Sequence, residues 1–359
     1  MLDEPMQWVA YTCRGDFLGE VPGLEVSSSI SSIIGRGDSV TVKIPLHDPR
    51  CPSNWRDITQ PMRAVLAATM PQVGPEYVFW AGWVEKRSYG SGTHVEVTLQ
   101  PAEGWLARNY INKAEFKNAR YTDIAKGIGL TQLAQQFNGR LEVVDSNDRG
   151  DRTYLADQDM TYLKGLQNLM NTRHGAEFST HWEIESGKLR PVIRIAPKLG
   201  KRDPHLQINF SNWTITQDCS DGKGATMFTV VSTREADQRV ELTRKEHTLL
   251  TYDWIQLERR WQPDTGSVNS TILDSYLNQT ADSQRLGTIS MDMELNLDIY
   301  KPGVDFDLGD YVFLELVNPT SPEVQYSGTP RVVGWVSDPN PVSGQITSVK
   351  PILQFDQGV

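Results

Sequence analysis

Hydrophobic and polar residues alternate along much of the first hundred positions, which is the pattern of strands that bury one face. Residues 39–46 show it most clearly, because Val40, Val42 and Ile44 fall on one face of a period-two strand. Shorter runs before them predict two further strands and a weak, serine-rich one. Residues 62–68 are ambiguous, since their composition favours a helix and their place before a hairpin favours a strand. The opening part of the chain is therefore predicted to be mainly β.

A hairpin pattern occurs twice, with 252 positions between the copies. Each copy has a strand containing Gly-Trp-Val, a loop that ends in Ser-Gly, and a return strand. A glycine at such a turn tolerates the positive φ that tight hairpins need. The matched positions are Gly82, Trp83, Val84 and Gly92 in the first copy and Gly334, Trp335, Val336 and Gly344 in the second. We expect these residues to be structural positions in two related halves of one architecture.

The pattern changes at residues 113–200, where helical spacing replaces most of the alternation. Thr122 is a candidate N-cap for one helix that ends at an Asn-Gly pair, and Asp159 is a candidate N-cap for a second. A hairpin with a Ser-Gly turn follows the second helix. This segment is predicted to be a small α+β module inserted between two β-rich units.

Strands return in the last part of the chain, together with an amphipathic helix near residues 270–285. The run 304–316 is interpreted as strand with a tight Leu-Gly-Asp turn inside it. The predicted fold class is α+β and mainly β. Its units are a first β unit at 1–112, an α+β insertion at 113–200 and a second β unit at 201–359.

The chain is acidic, with a formal net charge of −10. Residues 285–359 carry 4 basic and 10 acidic residues, so that this segment alone has a net charge of −6. Such a surface argues against gripping nucleic acid, which needs clustered Lys and Arg, and is compatible with a surface that nucleic acid passes without sticking. A solvated acidic face with no further role is the simpler alternative.

No catalytic or metal-binding motif is present in the sequence. The three cysteines, Cys13, Cys51 and Cys219, are far apart, and the six histidines lack metal-ligand spacing. Neither a Gly-x-Ser-x-Gly elbow nor a phosphate-binding glycine loop occurs. The apolar runs are too short to cross a bilayer, and the start of the chain shows no secretory signal. We therefore expect a protein that is not an enzyme, with no cofactor, no metal and no membrane span.

Two features suggest binding but have simpler explanations. Arg-Gly-Asp occurs three times, at 14–16, 36–38 and 149–151, and could mark adhesion, although Gly-Asp is also ordinary turn chemistry. Exposed tryptophans could form a sugar-binding platform, although tryptophan is more often found in a core or an interface. The candidates for such a platform are Trp55, Trp80, Trp105 and Trp261.

In the order of its parts the chain resembles the minor tail proteins that form the tail-tip hub of long-tailed phages, which are related to the central hub of contractile baseplates. The resemblance rests on Ile-Pro-Leu-x-Asp-Pro at 44–49, the Phe-x-Ala-Gly-Trp-Val hairpin at 79–84, the α+β insertion and Leu-Gly-Asp-Tyr-Val at 308–312. It spans most of the chain. The family has no shared catalytic residues to carry over.

The resemblance implies a homotrimer in the virion, assembled in the host cytoplasm. Each subunit would contribute two tube-protein-like β-barrels to a pseudo-sixfold ring around a channel. The implied partners are a distal tail or tube ring protein, the tape-measure protein C-terminus and a central spike or fibre. DNA would pass through without specific binding, and Asp305, Asp307 and Asp310 are the candidate residues of an acidic lumen.

Three alternatives remain open at the level of the sequence. The chain could be a receptor- or carbohydrate-binding module of the tail tip, which would need an aromatic-rich groove. It could be a cell-wall hydrolase, which would need a pocket with convergent titratable groups. A secretion-system spike hub would share the architecture and differ in its partners.

Overall fold

The structure is a computed structural model, and it describes residues 6–155, 159–201, 207–210, 213–220, 222–232, 239–247, 249, 254–263, 270–318, 321–340 and 344–355. Three residues of predicted elements, Leu206, Asn269 and Ser343, lie outside the described part. Strands dominate the described residues and helices are fewer. The predicted class, α+β and mainly β, is confirmed.

Residues 6–112 contribute seven strands to an antiparallel sheet and contain one further strand and two short helices. The sheet order is β2-β1-β6-β7-β8-β5-β3. The elements are β1 (Gln7–Thr12), β2 (Phe17–Glu20), β3 (Glu25–Val26), β4 (Ile30–Ile33), β5 (Val40–Pro45), α1 (Trp55–Ile58), β6 (Ala64–Thr69), β7 (Val78–Ser88), β8 (His94–Gln100) and α2 (Ala102–Leu106). The alternation in β5 is confirmed, because Val40, Val42 and Ile44 are fully buried. The ambiguous run at 62–68 is strand β6, and all of its residues are buried because both faces of the sheet are covered there.

The insertion packs a few helices against two small sheets. Its elements are β9 (Ala114–Arg120), α3 (Tyr121–Ala125), a π-helical turn (Lys126–Leu130), α4 (Thr131–Gln136), β10 (Arg140–Val143), β11 (Arg149–Tyr154), α5 (Tyr162–Met170), β12 (Glu177–Glu185) and β13 (Lys188–Ala196). The predicted Ser-Gly turn joins β12 to β13, and both Ser186 and Gly187 have positive φ. Leu189 of β13 covers the outer face of the large sheet beside Trp83.

Neither predicted helix cap in the insertion is correct. Thr122 lies inside α3, and Arg120 precedes the first helical residue. The cap of α5 is Thr161, whose hydroxyl accepts a hydrogen bond from the Lys164 backbone N–H at 3.2 Å. Asp159 lies two residues earlier with a φ of 44°, which is outside the extended conformation that an N-cap adopts.

The last part of the chain forms several small sheets and one long helix. Its elements are β14 (Gln207–Phe210), β15 (Thr214–Asp218), β16 (Met227–Val231), β17 (Glu241–Lys245), β18 (Glu258–Trp261), α6 (Ser270–Gln284), β19 (Thr288–Asp292), β20 (Leu295–Asn296), β21 (Phe313–Asn318), β22 (Ser321–Gly328), β23 (Arg331–Ser337) and β24 (Ser348–Gln354). The helix predicted near 270–285 is present as α6. Strand β21 begins only at Phe313, because residues 303–310 are mostly turns.

One hydrophobic core contains residues from both ends of the chain. It includes Trp8 and Leu99 from the large sheet together with Leu295 and Trp335 from the last part. Strand β4 leaves the large sheet and pairs with β23, so that a four-stranded sheet, β20-β24-β23-β4, joins the two ends. The sheets formed by the described strands are open, and no closed barrel is found among them.

Both copies of the repeated pattern are antiparallel hairpins, β7–β8 and β23–β24. Their tryptophans nevertheless face different surroundings. Trp83 lies on the outer face beside Leu189, whereas Trp335 lies in the core that joins the two ends of the chain. Each hairpin has a register shift, after Val84 in the first and after Val332 in the second, and a one-residue shift moves side chains to the opposite face of a strand.

Candidate functional site

A cavity of about 260 Å³ lies where the large sheet, the insertion and the last part of the chain meet. We call it the junction cavity. Its walls come from β4, the start of β7, α2, β12, residues 302–308 and β23. It is thus formed by segments that are far apart in the sequence, and the hydrophobic patterns of the separate segments do not indicate it.

Aromatic side chains form one wall of the junction cavity. Phe79 and Trp335 lie with their ring centroids 4.9 Å apart, and Trp80 adjoins them. The hydroxyl of Tyr77 donates a hydrogen bond to the Pro302 carbonyl at 2.5 Å, which fastens the large sheet to the last part of the chain. Burial raises the pKa of Tyr77, and nearby carboxylates add to the effect, so the hydroxyl remains a donor.

Glu103 brings a buried carboxyl group to the same cavity. It belongs to α2, and the residue is only 4% exposed. Burial raises the pKa of Glu103 to about 7, against the lowering effect of hydrogen bonds from its own backbone N–H and from Thr180. Gly37 lies so close that a Cβ there would be 2.6 Å from Oε2 of the carboxyl group. No ion pair with Lys, Arg or His is found for Glu103 in the described part of the chain.

The opposite wall carries polar groups of β12 and β13. Arg194 donates to Asp307 Oδ2 at 2.5 Å and to Glu142 Oε2 at 3.0 Å, so its charge is neutralised locally. His181 is largely enclosed, and Nδ1 has no hydrogen-bond partner among the described residues. Burial, helped by the positive charge of Arg194, lowers the pKa of His181 to about 4. The imidazole is therefore neutral at physiological pH.

The charged groups that line the junction cavity are predominantly acidic. The four carboxylates are Glu76, Glu103, Glu183 and Asp307, and the two guanidinium groups are Arg36 and Arg194. Arg36 also pairs with Asp38, at 2.9 Å. With His181 neutral, three other carboxylates face two guanidinium groups, and Glu103 adds a fourth negative charge when it ionises above its pKa of about 7. Of the three, Glu183 is also paired with Arg140 at 2.9 Å. The cavity therefore favours a cation over an anion.

The predicted acidic residues occupy three different environments. Asp307 lines the junction cavity and pairs with Arg194. Asp305 is half-buried, and its Oδ2 accepts the Lys301 backbone N–H at 2.8 Å. Asp310 is 2% exposed, and its carboxylate accepts the backbone N–H groups of Lys201 and Asp307 at 2.7 and 2.9 Å. Side chain–backbone bonds of this kind favour turns over strand.

The predicted hairpin residues are dispersed. Trp335 lines the junction cavity, but Trp83 does not. Gly344 has a φ of 65° and lies in a different surface depression, whereas Gly92 does not have a positive φ. Gly82, Val84, Gly334 and Val336 lie within their strands. Of the four candidate sugar-platform tryptophans, Trp55, Trp80 and Trp105 are buried, as a core position requires.

Sequence reasoning missed Glu103 and His181 as cavity residues. Glu103 does have a local signal, because it is the one charged residue in Ala102–Leu106, a run whose other large side chains are apolar. His181 has no comparable signal, since its environment comes from Arg194 and Asp307 on other segments. Within the described residues, no group of three or more His, Cys, Asp and Glu is arranged to hold a metal ion. No helix in the described part is long and apolar enough to cross a membrane.

The chain is similar in fold to solved phage tail proteins along its whole length. It is 12% identical to the tail protein from Neisseria meningitidis MC58, with a TM-score of 0.58 and 97% of each chain covered. It is 8% identical to the 43 kDa tail protein of prophage MuSo2 from Shewanella oneidensis, with a TM-score of 0.57 and coverage of 97% of this chain and 98% of that chain. No protein-family model and no curated protein sequence matches the chain.

A further similarity is to a chain of a protein complex from Francisella. The chain is 8% identical to a chain of the Francisella PdpA-VgrG complex, with a TM-score of 0.53, and the match covers 100% of this chain and 54% of that chain. The fold is therefore that of phage tail proteins. The resemblance to tail hub proteins that the sequence indicates is confirmed.

Proposed function

We propose that this protein is a structural component of a phage tail tip, where it forms a trimeric hub. Each subunit contributes two tube-protein-like β units, so that three chains form a pseudo-sixfold ring around the DNA exit channel. The ring joins a sixfold tail tube or distal ring to a threefold spike or fibre. The observation that carries this proposal is the similarity to the Neisseria tail protein over 97% of both chains.

The duplicated hairpin supports two related β units in each subunit. Both copies occupy the end of a β-rich segment, and the two segments share one core. A shared core holds the two units in a fixed relative orientation, which a closed ring requires. The different environments of Trp83 and Trp335 fit a ring whose six positions are similar but not identical.

The charge distribution supports a channel that DNA traverses without binding. The chain has a net charge of −10, and residues 285–359 account for −6 of it. Negative potential repels phosphates along the whole path. Asp305 and Asp307 retain partial exposure and are the candidates for direct contribution to the lumen. Asp310 is buried, and it contributes to the lumen only indirectly, by stabilising the turn in which it lies.

The partners follow from this placement. One face of the hub meets a distal tail or tube ring protein, and the other meets a central spike or fibre. The tape-measure protein C-terminus occupies the channel before DNA exit. The protein is placed in the virion at the tail tip, after assembly in the host cytoplasm, and it acts without enzymatic chemistry.

Light scattering of the purified protein tests the trimer, together with electron-microscope images of the particles. The expected mass is three times the 40.4 kDa of one chain, and the expected image is a ring with a central hole. A dimer, or a trimer without a hole, would count against the hub. If the protein is monomeric alone, the same measurement is repeated with the distal ring protein, and a failure to form rings there rejects the proposal.

A second candidate function is glycan binding at the junction cavity. It is favoured by the aromatic wall that contains Trp80 and Trp335 beside several carboxylates. Aromatic rings and carboxylates are also the groups that hold sugars. A glycan array probed with the labelled protein tests this function, and binding lost in Trp335→Phe but kept in a surface tryptophan variant, Trp254→Phe, would support it.

A further inference from the structure

Glu103 is a buried carboxyl group that lacks a counter-charge within the described residues. Thr180 of the cavity wall donates a hydrogen bond to it, and the negative charge of nearby Asp38 is unfavourable for its ionisation. The two guanidinium groups of the cavity are already engaged, Arg36 by Asp38 and Arg194 by Asp307 and Glu142. Buried carboxylates are normally paired or hydrogen-bonded to saturation. Without a counter-charge Glu103 remains protonated below its pKa of about 7, and a cation from outside the chain would stabilise its ionised form.

The rest of the cavity is also suited to an organic cation. The faces of Trp and Tyr attract ammonium and guanidinium groups, and Tyr77, Trp80 and Trp335 contribute to the wall. The excess of carboxylates over guanidinium groups in the wall also favours a cation. His181, which is neutral, adds no positive charge that would repel the ligand.

The size of the cavity restricts the ligand. Its volume of about 260 Å³ lies below the roughly 300–1,000 Å³ of sites that enclose drug-sized molecules. A single long side chain fits such a space, whereas an oligosaccharide could place only one end of its chain in it. The cavity is open to solvent and lies at the junction of three segments, where a neighbouring protein can reach it.

We infer that the junction cavity binds the ammonium or guanidinium head of a lysine or arginine side chain from another protein, with Glu103 as its counter-ion. The side chain enters along the aromatic wall, and its charged end reaches Glu103 beside Gly37. Binding goes beyond the structural role proposed above and does not depend on it. It would serve as a specific attachment point for a partner at the place where both ends of the chain meet.

Binding of the cation is coupled to the release of a proton from Glu103. A cation stabilises the ionised form of Glu103, so the carboxyl group releases a proton when the ligand binds below its own pKa of about 7. The ionised fraction rises from about one tenth at about pH 6 to about nine tenths at about pH 8, so the affinity rises about tenfold.

Other charged groups around Glu103 do not produce this dependence. The other charged or titratable groups that line the cavity are Arg36, Glu76, His181, Glu183, Arg194 and Asp307, and Asp38 lies near enough to act on Glu103. Histidine is the one side chain type among them that ordinarily titrates between pH 6 and 8. Its lowered pKa of about 4 keeps His181 neutral in that range.

Titration calorimetry of the full chain with small model compounds tests the inference. The probes are N-acetyl-lysine methylamide and N-acetyl-arginine methylamide, with N-acetyl-norleucine methylamide as the uncharged control. A ligand of this size is expected to bind with a dissociation constant on the order of 1 mM. The two cationic amides should bind, and buffers of different ionisation enthalpy should reveal about one proton released at pH 6 and almost none at pH 8.

Two variants locate the binding. Glu103→Gln keeps the shape of the protonated side chain, and it should weaken binding at least tenfold and remove the pH dependence. Glu96→Gln, a matched change of an exposed residue of β8 outside the cavity, should leave both unchanged. Unfolding curves of both variants establish that the loss is not a loss of folding.

Several results would overturn the inference. These are no saturable binding of either cationic amide, equal binding of the norleucine amide, and unchanged binding in Glu103→Gln. Equal binding of n-butylamine, which lacks the backbone amides, would identify free amines rather than protein side chains as the ligand. A neutral oligosaccharide that competes for the site would assign the cavity to glycans instead.

Discussion

Arg331 of β23 and Glu177 of β12 form a buried ion pair that joins the last hairpin to the insertion. Nη1 of Arg331 lies 2.9 Å from Glu177 Oε1, and Nη2 donates to the other carboxylate oxygen. Nε of Arg331 also donates to the Gly309 carbonyl, and Nη2 donates to the Leu199 carbonyl. Arg331 is 3% exposed, so each of these bonds replaces water. The pair fixes how the insertion sits on the last part of the chain.

Removing one partner of this pair should be costly. Arg331→Met leaves Glu177 with only the partly exposed Lys198 as a counter-charge, which is expected to lower the free energy of unfolding by about 3 kcal/mol. Denaturant titration followed by tryptophan fluorescence measures the change. The loss should appear as a lower midpoint without a change in slope.

Two controls distinguish charge from packing at this pair. The double variant Arg331→Met/Glu177→Gln removes both charges and should recover most of the lost stability. Lys198→Ala removes a second, partly exposed cation 3.4 Å from Glu177 and should cost less than about 1 kcal/mol. If Arg331→Met is as mild as Lys198→Ala, the pair does not hold the insertion in place.

Glu103 should make the stability of the protein fall as the pH rises. Burial raises its pKa to about 7 from the ordinary 4.5, so the unfolded chain loses this proton at lower pH than the folded protein does. The contribution of Glu103 is therefore most favourable below about pH 4.5 and declines up to about pH 7, by roughly 3 kcal/mol in total.

The variant Glu103→Gln isolates this contribution. Its unfolding free energy should exceed that of the wild type at about pH 8 by more than it does at about pH 4.5, because the variant has no proton to lose. Urea denaturation at several pH values measures the difference. Parallel pH curves for the two proteins would show that Glu103 has an ordinary pKa.

The two glycines of the first hairpin should respond differently to a methyl group. A Cβ at Gly82 would lie 2.5 Å from the Trp80 ring and 2.9 Å from the Gln100 carbonyl oxygen. Gly82→Ala is therefore expected to destabilise the protein by about 1–3 kcal/mol through overpacking. Gly92→Ala meets nothing within 4 Å and should change stability by less than about 0.5 kcal/mol. Thermal unfolding compares them, and equal effects would refute the close packing at Gly82.

Replacing Asp310 or Asp305 by alanine should lower the stability of the protein by different amounts. Asp310→Ala removes the buried acceptor of the Lys201 and Asp307 N–H groups and is expected to cost about 1–3 kcal/mol. Asp305→Ala removes one bond to the Lys301 N–H at a half-buried position and should cost about 1 kcal/mol or less. Chemical denaturation tests the order, and a larger effect at Asp305 would contradict it.

Local sequence patterns correctly predicted several elements that depend on interactions between near neighbours in sequence. Strand β5 follows from its alternation, α6 from its amphipathic stripe and the β12–β13 turn from Ser186-Gly187. In each case the decisive forces act between near neighbours in sequence. The candidate caps were less successful, because Asp159 and Thr161 are both able to cap a helix and only the backbone conformation selects between them.

The environments of Trp83 and Trp335 could not be predicted from the repeat. Both lie in a Gly-Trp-Val triplet, and the position of the register shift in each hairpin depends on how its two strands pair. The junction cavity could not be predicted from the sequence for a similar reason. Glu103 and His181 are 78 positions apart, and their roles depend on the way in which three segments pack.

The pairing of β4 with β23 has a consequence for how the chain is made. Ile30 pairs with Ser337, which leaves the ribosome roughly 300 residues after it. At about 5–20 residues per second, the nascent chain waits roughly 15–60 s with β4 exposed and its hydrogen bonds to β23 unmade. During co-translational folding the N-terminal part of the chain therefore presents β4 as an unpaired strand, which either a chaperone must shield or a neighbouring nascent copy can contact.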